Sequence, residues 1–183
     1  MMQTARRLIL FSLVATVLAS VVFLTRVSAD GSPTTDAQLT RIRTNCVSAK
    51  NRLNQVHAAD GLLRVNRGQI YESMTTKLMS RFNNRVSTNN FDASALVTIT
   101  NNYNSALATF RTDYITYEQQ LSSAMQIDCT NEPISFYDAI ATARISRSQV
   151  HTDVIMLHQY IDSYAVAFNA FTNNFVLTKT GSN

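Results

Sequence analysis

Turn-formers are scarce in this chain. Four glycines and two prolines in 183 residues argue against an all-β fold, whose many reversals draw on both. Charge is thin too: only 15% of residues are charged, well below the usual quarter, and Ser, Thr and Asn fill the gap, which suits an extracytoplasmic surface. There is no P-loop, no GxGxxG, no nucleophile elbow and no ExxH pair of the di-iron kind. His151 and His158 stand seven apart rather than the chelating four, and His57 is isolated. No Asn-x-Ser/Thr sequon occurs. No acid–base–nucleophile set can be assembled, so an enzyme is the least favoured class, and no cofactor or metal is expected.

One long apolar run is present. Leu8–Leu24 carries no charge and lies between Arg6-Arg7 and Arg26. A bilayer core of about 30 Å needs roughly 20 apolar residues at 1.5 Å each. Residues 8–25 are just long enough to span, and the N-terminal arginines keep that end in the cytoplasm, so the chain beyond the run is exported. Val27-Ser28-Ala29 offers small residues for a signal peptidase, whereas Arg26 fits a membrane flank. Residues 1–29 are therefore a signal peptide cleaved after Ala29 or a retained anchor through residues 8–25. No cysteine comes directly after the run, which disfavours a bacterial lipoprotein.

The formal charge of +4 falls to +1 once the three arginines around that segment are set aside. Within the remainder the distribution is uneven. Residues 36–88 hold nine Lys or Arg against Asp36, Asp60 and Glu72; residues 92–128 hold Arg111 against Asp92, Asp113, Glu118 and Asp128. A basic helix packed beside an acidic one is the plain reading; a surface for DNA or another anionic polymer is the other.

After a linker at 30–35, apolar spacing predicts three helices, at about 36–88, 92–128 and 133–178, with 179–183 a disordered tail. Asp36 is placed as the first cap. The first seam reads Leu39, Ile42, Cys46, Ala49, Leu53, Val56, Asp60, Leu63, Arg67, Ile70, Met74, then Leu78, Phe82 and Val86 after a shift. Gly61 and Gly68 suggest a bend between them. The second seam is Leu96, Ile99, Tyr103, Leu107, Phe110, Tyr114, Tyr117, Leu121, Met125. The third begins just after Pro133 and runs Phe136, Ile140, Ala143, Arg147, Val150, Val154, Leu157, Ile161, Tyr164, Phe168, Phe171, Phe175. Short turns then give a long antiparallel, coiled-coil-like three-helix bundle, all-α, preceded by an N-terminal hydrophobic helix. Each rod would be roughly 60 Å long.

From the turn near residue 89, 43 residues lead back to Cys46 and 40 lead forward to Cys129, so an antiparallel register puts the only two cysteines at one end. Export permits their oxidation, and a structural disulfide is expected. The pair has neither CxxC spacing nor a neighbouring histidine for redox or metal chemistry. Counting from that end, Asp60 and Arg147 fall on their seams at one height, near Glu118 and His57. A buried charged layer of these four would fix helix register; lining a ligand pocket or driving a proton-dependent switch are its alternatives. The tyrosines mostly follow the seams and read as core with hydroxyls at the rim.

The stretch Leu63-Arg64-Val65-Asn66-Arg67-Gly68-Gln69-Ile70-Tyr71, with the apolar N-terminal run and the cysteine pair, resembles uncharacterised exported helical proteins of bacteria. The resemblance implies a bacterial envelope setting and carries no catalytic residue. The reading is a non-enzymatic exported helical bundle of the cell envelope, an interaction or spacer module with the membrane and an unknown protein as partners. A ligand-binding, sensor-like ectodomain and an anionic-polymer or DNA-binding surface are the alternatives. Nucleic acid is the less favoured partner, and the oligomeric state is open.

Overall fold

The computed structural model describes residues 35–180, and the side chains of residues 35–176. The expected N-terminal segment 1–29, its linker up to residue 34, and residues 181–183 lie outside the described residues. The protein is all-α: the described residues contain no strand.

The first arm comprises α1 (Asp36–Thr44), α2 (Cys46–Ser73), a π-helical segment (Met74–Met79) and α3 (Ser80–Thr88). The N-cap is Thr35, one residue before the expected Asp36. Thr35 forms a capping box, its Oγ1 accepting from the Gln38 N–H at 3.4 Å while its own N–H donates to Gln38 Oε1 at 2.9 Å. Asp36 instead supplies negative charge to the first turn. At Asn45 the backbone leaves helical geometry, and the side chain donates to the Arg41 carbonyl at 2.9 Å. No break falls between Gly61 and Gly68, since α2 runs through both. The interruption comes later, where the Ser80 N–H donates to the Thr75 carbonyl five residues back.

The second helix is α4 (Ser94–Gln126) and the third α5 (Pro133–Thr180), two residues past its expected end. Asn90 turns the chain with φ 60°, a conformation asparagine tolerates. The Asp92 carboxylate accepts from the Ser94 N–H at 2.8 Å, and that hydrogen bond holds its pKa below the usual range. Asp128 does the same for Thr130 and Asn131 in the next turn. The three arms are unequal, against the roughly 60 Å expected for each: α4 is about 50 Å long, α5 about 72 Å and the first arm about 80 Å at 1.5 Å per residue.

In α4 the buried residues are Leu96, Thr100, Tyr103, Leu107, Phe110, Tyr114, Tyr117, Leu121 and Ala124, a strict alternation of four and three. Only the ends differ from the expected seam, with Thr100 in place of Ile99 and Ala124 in place of Met125. The first arm departs further. Leu63, Ile70 and Leu78 are 51%, 58% and 52% exposed, while Tyr71, Thr75, Met79 and Asn83 are buried. An α-helix with 3.6 residues per turn drifts about 20° per heptad from a 3.5-residue seam. The inward face therefore passes through Cys46, His57, Gly68 and Met79, eleven residues apart, which are buried or half-buried. On α5, Arg147 is exposed rather than on the buried face, and Phe175 is 40% exposed.

The closest helix pairing is α4 with α5; α2 approaches α4 but few of its residues come near α5. Cross-helix bonds fix the register. Glu72 meets Arg111, Thr75 meets Asn104 and Asn83 meets Thr100, so numbers fall on α4 as they rise on the first arm. On α5 they rise together: Asp60 with Arg147, Tyr71 with His158, Asn83 with Tyr164. The main core gathers Tyr71, Met79, Leu96, Tyr103, Phe110, Leu157 and Tyr164. A second cluster surrounds the Cys46–Cys129 disulfide, whose Cα atoms are 5.5 Å apart, with Ala124, Phe136 and Ile140.

Candidate functional site

One helical turn of α2 places His57 and Asp60 on the side that meets the middle of α4. Arg147 grips Asp60 with two bonds, Nε to Oδ2 at 2.7 Å and Nη2 to Oδ1 at 2.9 Å. The Tyr117 hydroxyl donates to the same Oδ2 at 2.7 Å. Beside this triad, His57 Nε2 lies 3.1 Å from Glu118 Oε2, and the Tyr114 hydroxyl donates to Glu118 Oε1 at 2.8 Å. The four residues expected in a charged layer thus meet, and two tyrosines join them. The layer is not buried as expected. The Asp60 side chain is only 14% exposed, but that of Arg147 is 57% exposed and those of His57 and Glu118 about a third. Arg147 reaches in from the solvent edge with its flexible stem, so only the carboxylate at the centre is shielded.

That geometry sets the electrostatics. The hydrogen bonds from Arg147 hold the Asp60 carboxyl below its usual range, outweighing the burial that opposes them, and Tyr117 adds to the effect. The pKa of Arg147 rises in return, with Asp60 as the main cause. Burial first, then the bond to a carboxylate, pushes the phenols of Tyr117 and Tyr114 well above their ordinary value. Both stay protonated donors, unfit as nucleophiles at neutral pH.

A cleft of about 300 Å³ opens beside the layer, between α2, α4 and α5. Its walls include Leu63, Arg64, Arg67, Tyr71, Phe110 and Tyr114, with Asp60, Arg147 and His151 also facing it. It exists because α2 stands away from α5 here while α4 and α5 pack closely. The Arg64 guanidinium carbon sits 5.1 Å from the Tyr114 ring centroid, a cation–π arrangement.

Around the π-helical segment, two buried tyrosines reach the first arm's backbone. The Tyr103 hydroxyl donates to the Tyr71 carbonyl at 2.9 Å. That of Tyr164 contacts the Met79 carbonyl at 3.3 Å and Asn83 Oδ1 at 2.7 Å. Asn83 in turn donates to Thr100 at 2.8 Å, and Thr75 to Asn104 at 2.7 Å. Burial pushes the Tyr164 pKa up to about 12. The Tyr71 carbonyl also accepts from the Met74 N–H, so the Tyr103 hydroxyl adds a second bond there.

Asp153 on α5 is buried and accepts from Gln149 at 3.1 Å through one oxygen, while the other finds no donor. Burial raises its pKa, and the nearby Asp113 carboxylate raises it further. Among the described residues no three His, Cys, Asp or Glu side chains converge on a point where a metal could sit. His158 bonds to the Tyr71 hydroxyl at 3.1 Å, and His151 faces the cleft.

The basic first arm lies beside the more acidic α4, but its cations are not paired with the carboxylates there. Among the described residues, none of the nine Lys or Arg of residues 36–88 lies within ion-pair distance of a carboxylate of residues 92–128. Lys50 comes near enough to Asp128 only to help lower its pKa. The basic side chains point elsewhere because the inward face of the arm is taken by Tyr71, Thr75, Met79 and Asn83.

Sequence reasoning passed over Tyr114, Tyr117, Arg64 and Asp153. The tyrosines sat on a seam and read as core, and Arg64 merged into a basic stretch. Asp153 lies beside Val154, the residue that the 3.5-residue period favoured. No protein-family model, curated protein or solved structure matches the chain.

Proposed function

We propose that this chain is a non-enzymatic helical bundle of the cell envelope, exported through its N-terminal apolar segment and working as an interaction or spacer module. The three arms form a long antiparallel three-helix bundle in this reading. It is held beside the membrane by residues 8–25 or released by cleavage after Ala29. The observation that carries the reading is the Cys46–Cys129 disulfide, because such bonds persist in oxidising compartments and are rare in the cytosol. It also ties the start of α2 to the turn between α4 and α5.

No helix among the described residues is long and apolar enough to cross a membrane. The test is protease accessibility in intact cells that express the full chain. An exported bundle is cut by external protease while a cytosolic marker survives. Protection until the cells are lysed would refute export.

A further inference from the structure

The cleft between α2, α4 and α5 has a chemistry that spacing helices apart does not require. Arg64 and Arg67 both face it, three residues apart and so on one side of α2. Among the described residues neither lies within ion-pair distance of a carboxylate. The one acidic group facing the cleft, Asp60, is neutralised by the two-bond grip of Arg147. The cleft therefore carries two positive charges in excess, with His151 counted neutral.

Its other walls are apolar or aromatic: Leu63, Tyr71, Phe110, Tyr114, Val150 and Val154. The hydroxyls of Tyr71 and Tyr114 already bond to His158 and Glu118, so these rings offer faces and edges rather than free polar groups. A volume of about 300 Å³ lies at the small end of ligand pockets. Leu63, half exposed on one wall, is an apolar surface without a covering partner in the described fold.

We propose that this cleft binds a small aryl carboxylate. The carboxylate meets the guanidinium groups of Arg64 and Arg67, and the aromatic body lies against Tyr71, Phe110 and Leu63. A guanidinium fork matches a carboxylate in plane and can give two parallel bonds, which a lysine could not. The aromatic walls alone would also suit an organic cation, but the excess positive charge and the Arg64 group already over Tyr114 oppose one. This site goes beyond the spacer role and would give the bundle two states, empty and filled, that a partner can distinguish.

The test titrates the full-length chain, in detergent with its disulfide intact, with 1-naphthoate by calorimetry. The neutral 1-naphthamide and the cation 1-naphthylmethylammonium serve as matched probes. Saturable binding of naphthoate is expected with a Kd of about 1 mM or tighter, and the amide should bind about tenfold more weakly. Arg64→Gln and Arg67→Gln should each weaken naphthoate about five- to tenfold, since each removes a charge-assisted donor. Arg43→Gln and Arg52→Gln, basic but outside the cleft, should leave binding unchanged. Both cleft arginines are exposed, so the variants keep the fold, with unchanged circular dichroism as the check. Leu63→Trp, which fills the cleft from its exposed wall, should abolish binding. Equal binding of the three probes, equal weakening by the outer arginine variants, or no saturation by about 10 mM would each overturn the proposal. The second of those results would mark a diffuse basic surface instead.

Discussion

Removing Asp60 should unbalance two groups at once, Tyr117 and Arg147, and the variants can be ranked from their burial. Tyr117 is almost fully buried, at 2% exposure, and its hydroxyl has Asp60 Oδ2 as its acceptor. Leaving that donor unpaired costs about 1–3 kcal/mol. The ion pair itself adds less, because Arg147 is more than half exposed and water screens it; a coupling of about 1 kcal/mol is expected, at the upper end for exposed pairs. Asp60→Ala should therefore destabilise by about 2–4 kcal/mol. Asp60→Asn, which keeps an acceptor for Tyr117, should lose about 1–2 kcal/mol, and Arg147→Gln about 1 kcal/mol. The pH dependence has a definite sign. The Asp60 pKa is lowered in the folded chain, so its contribution is full above the unfolded value near 3.8 and fades as pH falls through the folded one. The gap between wild type and Asp60→Asn should thus close in acid. Urea unfolding monitored by circular dichroism, at pH 7 and near pH 3, measures all of this. Equal losses from Asp60→Ala and Asp60→Asn would refute the role given to Tyr117. A coupling near zero, with no rescue in the Asp60→Arg, Arg147→Asp swap, would refute the layer as a register device.

Reducing Cys46–Cys129 frees a loop with a sequence separation of 83, which the chain-entropy model values at about 4.5 kcal/mol as an upper figure. Paired serines should lower stability by about 2–4.5 kcal/mol in the same urea assay, and a loss below 1 kcal/mol would mean that the end of the bundle is held by packing alone. Because Asp153 has a raised pKa when folded, its contribution is present below its unfolded value and is lost as pH rises through the folded one. Asp153→Asn should accordingly raise the melting temperature at pH 8 and flatten the pH profile; a lower melting temperature at pH 8 would show that the charged form is the one the fold uses. Gly61 and Gly68 have open space where a Cβ would stand, so Gly→Ala at either position should stabilise by about 0.5–1 kcal/mol in thermal melts. A loss at either site would point to strain there.

How much of this could be read in advance differs from helix to helix. From Tyr103 to Leu121 the inward face of α4 is a run of large apolar or aromatic residues at alternating three and four, and periodicity finds such a face directly. The first arm hid its inward face, because Thr75 and Asn83 point in while Leu62, Val65, Ile70 and Leu78 point out. Hydrophobicity marks the wrong positions there, and a π-helical segment turns the face once more. Tyr103 and Tyr164, from the other two helices, bond to the Tyr71 carbonyl before the π-helical segment and to the Met79 carbonyl at its end. A single-helix pattern cannot carry that information. The meeting of Asp60 with Arg147 was legible, since two opposite charges stood on seams at about the same height from the cysteine end, 14 residues past Cys46 and 18 past Cys129. The cleft was not. It depends on α2 standing away from α5, a matter of interaxial distance that spacing along one helix does not encode.

The most direct test of an exported, oxidised bundle is the intact mass of the protein recovered from the cells that make it, after thiols are alkylated before lysis. An unlabelled Cys46–Cys129 pair is expected, in a membrane or medium fraction, with the mass either whole or shortened by residues 1–29. Two labelled cysteines on a full-length chain in the cytosol would contradict it.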